Sequence, residues 1–181
     1  MYKNVYLKKG KEESLKRFHP WIFSGAIQRM DNDIEEGETV RVFTSAGDFI
    51  AIGHYQIGSI AVRVLSFSDV DIDNEFWCAR LESAYRMRLA VGIAGNPDNN
   101  TYRLVHGEGD YLPGLVIDCY GSTAVMQAHS VGMHVCRNEI CQALVQVMGD
   151  RIANVYYKSE TTLPYKADLH QENGFLVGGD A

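Results

Sequence analysis

Near residue 70 the hydrophobic pattern of this chain changes period, from short alternating runs to a repeat of three and four residues. A single sheet or a single helical bundle accommodates only one of these periods. Residues 1 to about 68 read as short strands, Val5 to Lys8, Thr39 to Thr44, Phe49 to Tyr55 and Ile60 to Leu65, punctuated by glycine at 37, 47 and 58. Pro20 opens the run PWIFSGAI, and proline at a first helical position predicts one short helix or helical turn before Gly25. The stretch FSDVDIDNE, Phe67 to Glu75, is acidic and aperiodic, which places a boundary there and gives domains at 1–70 and 74–181.

From Glu75, the positions of Trp77, Leu81, Ala84, Tyr85, Leu89 and Ile93 predict a helix with one apolar face, ending by GNPDNN at 95–100. The run GLVIDCYGSTAVMQAHS predicts a hairpin, with strands at 115–119 and 123–128 about Tyr120, Gly121 and Ser122. A second helix is expected over about 132–148, with Cys136, Ile140, Ala143, Leu144 and Val147 on its inner face and Gly149 at its end. Ala153 to Lys158 reads as a further strand. The fold class is therefore α+β, a small β-rich domain followed by a small mixed domain.

Composition narrows the function classes. At 46% hydrophobic and 22% charged, with four prolines, the chain has the make-up of a folded globular protein rather than a disordered one. It has no apolar run long enough for a membrane span, and MYKNVYLKKG lacks a secretory apolar stretch, so a cytoplasmic protein without membrane partners is expected. The four cysteines, at 78, 119, 136 and 141, are spaced for neither a disulfide framework nor a metal knuckle, and no metal site is expected. The net charge is -6, but residues 1–17 hold Lys3, Lys8, Lys9, Lys11, Lys16 and Arg17 against Glu12 and Glu13, a local +4. Such a cluster is either a solvated face or a surface for phosphates.

Two stretches, LKKGKEESLKRFHPWIFSGAI at 7–27 and YRLVHGEGDYLPGLVIDCYG at 102–121, resemble the class I methyltransferase family that makes 5-methylcytosine in large-subunit ribosomal RNA. The first looks like that family's PUA domain, a β-rich pseudobarrel, and the second like its central mixed domain. The resemblance covers nearly the whole chain. It implies ribosomal RNA as partner and S-adenosylmethionine as the cofactor of a following catalytic domain. In that domain a cysteine adds to cytosine C6, the methyl group moves to C5 and a base removes the C5 proton. This chain stops at ENGFLVGGDA, so the expectation is an RNA-recognition portion with no catalytic residue and no cofactor site of its own. Residues 107–110, GEGD, lack the glycine spacing of a dinucleotide fingerprint. Where the family often has a basic residue this chain has Cys119, which removes any phosphate contact from that position.

As that resemblance implies, Lys8, Lys9, Lys11, Lys16 and Arg17 are candidates for phosphate contact, and Arg103 joins them. His19 and Trp21 could stack on an unpaired base, or Trp21 could be a core anchor. Ser24 and Gly25 could allow close backbone approach, or Gly25 could be a plain turn residue. Glu108, Asp110, Leu112, Pro113, Gly114 and Asp118 either build the LPGL turn, with the two acids capping it, or form a loop that helps to present the target nucleotide. Rival classes stay open: a small self-contained enzyme using His106 with Glu108 or Asp110, or a module that docks protein. The sequence leaves the oligomeric state open, a homodimer included.

Overall fold

The computed structural model describes residues 2–164, 167, 169 and 171–179, and the chain divides into two compact units, 1–71 and 72–181. In the first unit, strands β1 (Lys3–Leu7), β2 (Trp21–Phe23), β3 (Ile27–Met30), β4 (Thr39–Phe43), β5 (Phe49–Tyr55) and β6 (Ile60–Ser66) form one sheet in the order β2-β6-β5-β4-β1-β3. Only β1 and β4 run parallel. Register shifts interrupt the other pairings, at Tyr6/Leu7, Ile22/Phe23, Val42/Phe43 and Ile52/Gly53. Such bulges add twist and bend, so the sheet curls around Val5, Leu7, Ile22, Val40, Val42, Val62 and Val64. Each of these side chains contributes about 1.5–3 kcal/mol by leaving water. At Gly53 a Cβ would stand 2.1 Å from the Arg63 carbonyl oxygen, so the close approach of β5 to β6 requires glycine.

The expected helix at Pro20 is not formed. Pro20 leads into β2, and its carbonyl accepts the Val64 N–H at 2.8 Å, which docks the segment on β6. A proline lacks an N–H to donate, which suits the start of an edge strand as well as the start of a helix. The helical turn falls later, at Ser24–Ala26, and a second turn at Leu15–Arg17 that the pattern did not reveal drops Leu15 into the core.

In the second unit, α1 (Asn74–Ala90), β7 (Thr101–His106), β8 (Leu115–Tyr120), β9 (Thr123–Ala128), α2 (Val131–Val135), α3 (Arg137–Met148), β10 (Asn154–Tyr157) and β11 (Gly174–Val177) follow in chain order. The sheet order is β11-β10-β9-β8-β7, with β9 and β10 parallel. Helix α1 packs against α3. Ile117, Cys119, Ala124, Met126, Val155 and Tyr157 alternate along the strands as the buried face of the sheet. Asp73 caps α1 by accepting the Phe76 N–H at 3.0 Å. The hairpin turns at Gly121, φ +57°, where the sequence places it. The α+β class holds for the chain.

Three expectations need correction here. The apolar face of α1 is shorter than its pattern: Trp77, Leu81 and Ala84 are buried, but Leu89 is 43% exposed and Ile93 lies beyond the helix, 41% exposed. The single helix over 132–148 is two helices broken at Cys136, because Ser130 caps an earlier start through the Met133 N–H, and Met148 rather than Val147 is buried. Strands β7 and β11 were not foreseen. Their edge positions leave half of each strand exposed; β7 does not alternate strictly, and in β11 the exposed positions are Phe175 and Val177, so its sequence lacks the apolar-polar alternation that reveals a strand.

His54, next to the last residue of β5, is 2% exposed, and burial together with the Arg63 charge pushes its pKa down to about 4 from 6.5. The unfolded chain takes up this proton near pH 6.5, whereas the folded chain excludes it until about pH 4. Stability is therefore lost as pH falls through that window. Denaturant titrations should show the wild type losing about 2 kcal/mol more than His54→Gln between pH 6.5 and pH 5. Parallel losses in the two proteins would contradict this assignment.

Candidate nucleic-acid interface

Strand β2 sits at the edge of its sheet, so its alternation has one buried and one open side. Ile22 points into the core at 3% exposure, and Trp21 and Phe23 point the other way, Phe23 being 50% exposed. His19 extends the row. Its ring lies edge-on to Trp21 at 5.9 Å and tilted to Phe23 at 6.3 Å, and its Nδ1 accepts the Trp21 N–H at 3.2 Å. Trp21 is half-buried and lines a groove of about 310 Å3 with Lys11, Ser14, Leu15, Phe23 and Gly25. It is a wall of that groove rather than a core anchor.

The basic residues around this groove divide by what they touch. Lys8 donates through Nζ to the Gly25 carbonyl at 2.9 Å and through its backbone to Ala26, so it clamps the Ser24–Ala26 turn. Lys16 pairs with Glu13 at 2.6 Å, and this partner holds the Glu13 carboxyl below its usual range. Lys3 is tied to Glu38 and to the Asp33 carbonyl. Lys9, Lys11 and Arg17 are exposed and make no ion pair among the described residues. Gly25 has no positive φ, and nothing lies within 4 Å of where its Cβ would stand, so the fold does not demand glycine there. Two exposed aromatics escaped the sequence reading. Phe23 could have been found from the 19/21/23 spacing. Phe18, 67% exposed with φ +61° and edge-on to Phe67 at 5.2 Å, had no sequence signal.

In the second unit the ionisable residues of 103–118 come together, but as arginine–carboxylate pairs. Asp118 receives Arg103 in a two-point contact, 2.8 and 3.0 Å, and Arg103 Nη1 lies 3.3 Å from His106 Nδ1. Asp110 receives Arg88 at 2.5 and 2.7 Å and also accepts the His106 backbone N–H at 2.6 Å. It therefore caps its own Gly107–Asp110 turn rather than LPGL. Arg88 Nε reaches the Arg103 carbonyl at 3.0 Å, and Arg80 covers the Tyr111 ring, so α1 holds this loop at two points. Leu112 and Pro113 are buried, and Gly114, φ +86°, leaves only 2.6 Å between a would-be Cβ and the Ser130 hydroxyl. All three build the loop; Leu112 and Pro113 present no surface, and Gly114 is half-buried. Glu108 is exposed.

Of the two acids that the acid–base reading of His106 offers, Asp110 is committed to Arg88. No cluster of His, Cys, Asp and Glu suited to a metal exists among the described residues. Cys119 and Cys141 are buried, Cys78 and Cys136 are half-buried, and all four are unbridged. Burial pushes the Cys119 thiol up to about 11 and the Cys136 thiol up to about 12, the reverse of what a nucleophile requires. No helix among the described residues is long and apolar enough to cross a membrane.

Residues 5–67 match the PUA-like domain family. Over 97% of its length the chain is 36% identical to ribosomal RNA large subunit methyltransferase I of Aliivibrio fischeri, of which it covers 44%. The chain thus spans less than half the length of the curated relatives it matches. Among solved structures, a protein described as a SAM-dependent methyltransferase from Streptococcus mutans superimposes with a TM-score of 0.78 at 20% identity, over 100% of this chain and 44% of that one. A methyltransferase-like protein solved with SAH gives 0.76 at 20% identity with the same coverage. These two likenesses carry the fold alone.

The Arg88–Asp110 side chains are only 13% and 7% exposed, so removing one partner strands a charge away from water. Asp110→Ala should destabilise the second unit by about 3 kcal/mol in denaturant unfolding, and Arg88→Met combined with Asp110→Leu should recover part of that loss. A loss below about 0.5 kcal/mol for Asp110→Ala would place the pair among ordinary surface contacts.

Proposed function

We propose that this homologue of the ribosomal RNA large-subunit methyltransferases I is the RNA-recognition portion of a cytosine-5 methyltransferase that uses S-adenosylmethionine, and is not itself catalytic. The observation that carries this reading is the groove of the first unit, where the His19, Trp21 and Phe23 rings stand beside Lys11, with Lys9 and Arg17 on the same basic segment. Exposed cations that lack acidic partners release counterions when they meet phosphates, and their contribution is independent of sequence. Aromatic rings beside them stack on unpaired bases, a contact worth about 1–3 kcal/mol per base. Structured RNA with an unpaired segment satisfies both requirements.

Methyl transfer, in this reading, belongs to residues outside this chain. Its one Gly-x-Gly after a strand, Gly107 to Gly109, enters a single tight helical turn, and the Asp110 side chain beside it is filled by Arg88. Such a turn offers no row of backbone N–H groups at a long helix start, the feature that cradles a nucleotide cofactor. The thiols of Cys119 and Cys136, with their raised pKa, fit a structural part better than attack on cytosine.

Filter binding of the chain to structured large-subunit ribosomal RNA segments should show an affinity that falls steeply with salt. Lys9→Glu with Lys11→Glu should weaken binding at least tenfold at low salt and flatten the log–log salt slope by about 2, whereas Glu13→Gln with Lys16→Gln, which removes a neutral pair, should change the slope by less than about 0.5. Equal effects of these variants, or binding insensitive to salt, would count against the reading.

A further inference from the structure

A second groove, wider than the first, lies in the second unit. It is a groove of about 690 Å3 where the end of α1 and the turn after it meet β7 and β8. Met87, Val91 and Ile93 floor it, 57%, 58% and 41% exposed, and the Tyr120 ring, 53% exposed, stands at its side. Scattered apolar residues on a surface need no explanation, but four gathered in one concave site mark a binding surface. The unit holds 8 Lys and Arg against 13 Asp and Glu, a formal -5. In the groove lining Arg88 is held on Asp110 and Arg103 on Asp118, so the charges are paired, and Arg103, its side chain 46% exposed, is the cation that faces a ligand.

Register supplies the dimension. Thr101 faces Tyr120 and Arg103 faces Asp118 across β7 and β8, which makes Arg103 and Tyr120 diagonal neighbours on one face. Diagonal neighbours stand roughly 7–8 Å apart. Two side chains that project in parallel from residues at that separation can take one flat ring between them. Asp118 and His106 hold the Arg103 guanidinium by its edge while the side chain stays 46% exposed, and a planar cation held in this way can stack on a base.

We propose that this groove holds one unpaired nucleotide of an RNA, its base between the Tyr120 ring and the Arg103 guanidinium and its sugar over Met87 and Ile93. The inference rests on the chain being an RNA binder and adds a second, separate contact to the one in the first unit. It makes the substrate a single-stranded or looped segment, because a base inside a duplex has no free faces.

The test uses the whole chain, with methyl-labelled methionine and isoleucine, titrated with a mixed-sequence single-stranded RNA hexamer and, separately, with a blunt RNA duplex. Met87 and Ile93 methyl signals should move saturably with the hexamer and much less with the duplex. Tyr120→Ala should raise the dissociation constant read from these methyls at least tenfold, Tyr120→Phe should keep it within about twofold, and Arg103→Lys should raise it about tenfold through loss of the planar group. Shifts at the Trp21 indole with Met87 and Ile93 unmoved would overturn this site and leave the RNA-binding reading standing. No shift at either place would remove both. Equal binding by Tyr120→Ala and Tyr120→Phe would also overturn the site, by showing that the ring plays no part.

Discussion

An edge strand that buries Ile22 must turn its neighbours Trp21 and Phe23 outward, and the chemistry of the first unit follows from that alternation. Ile22 is part of a core shared with Leu15, so the same packing that anchors β2 also fixes the turn carrying Lys16 and Arg17. Lys8 then ties the Ser24–Ala26 turn to the end of β1. Three rings and a set of cations are thereby held beside one groove by apolar burial and a few backbone contacts, with no dedicated scaffold of ion pairs.

The second unit fixes its site differently. Its loop after β7 is held by charge, through Arg88 on Asp110 and Arg103 on Asp118. The two pairs differ in surroundings. Arg88–Asp110 is largely withdrawn from water, so its integrity matters to the fold of the loop, whereas Arg103 remains 46% exposed and its pairing with Asp118 mostly sets its direction. Of two similar arginine–carboxylate contacts, one is an anchor and the other leaves a cationic plane available to a ligand.

Much of this was legible in the residues. Alternation placed β4, β8, β9 and β10 close to their observed bounds, because each buries every second residue, and β5 and β6, buried over most of their length, were marked by apolar runs between glycine breaks. The Pro20 segment was misread because proline lacks an N–H wherever it stands, so the residue does not distinguish a helix start from the start of an edge strand whose partner is 40 residues away. The acidic residues of 103–118 gave their positions but not their roles, since Arg88, the partner that decides Asp110, lies on a helix 22 residues earlier. In the basic segment the charges were visible in order. That Lys8 and Lys16 are spent within the fold while Lys9, Lys11 and Arg17 are not depends on the turns at 8–11 and 15–17, which local propensity does not specify.

The central claim, that RNA lies along the His19–Trp21–Phe23 face, is tested most directly by ultraviolet crosslinking of the chain to a structured ribosomal RNA segment, followed by trypsin and mass spectrometry. Cleavage after Arg17 and Arg29 isolates Phe18 to Arg29 as one peptide, which holds all three rings. The account predicts crosslinked nucleotides on that peptide at low salt, lost at high salt. Crosslinks that spare it while marking other peptides of the first unit would contradict the account.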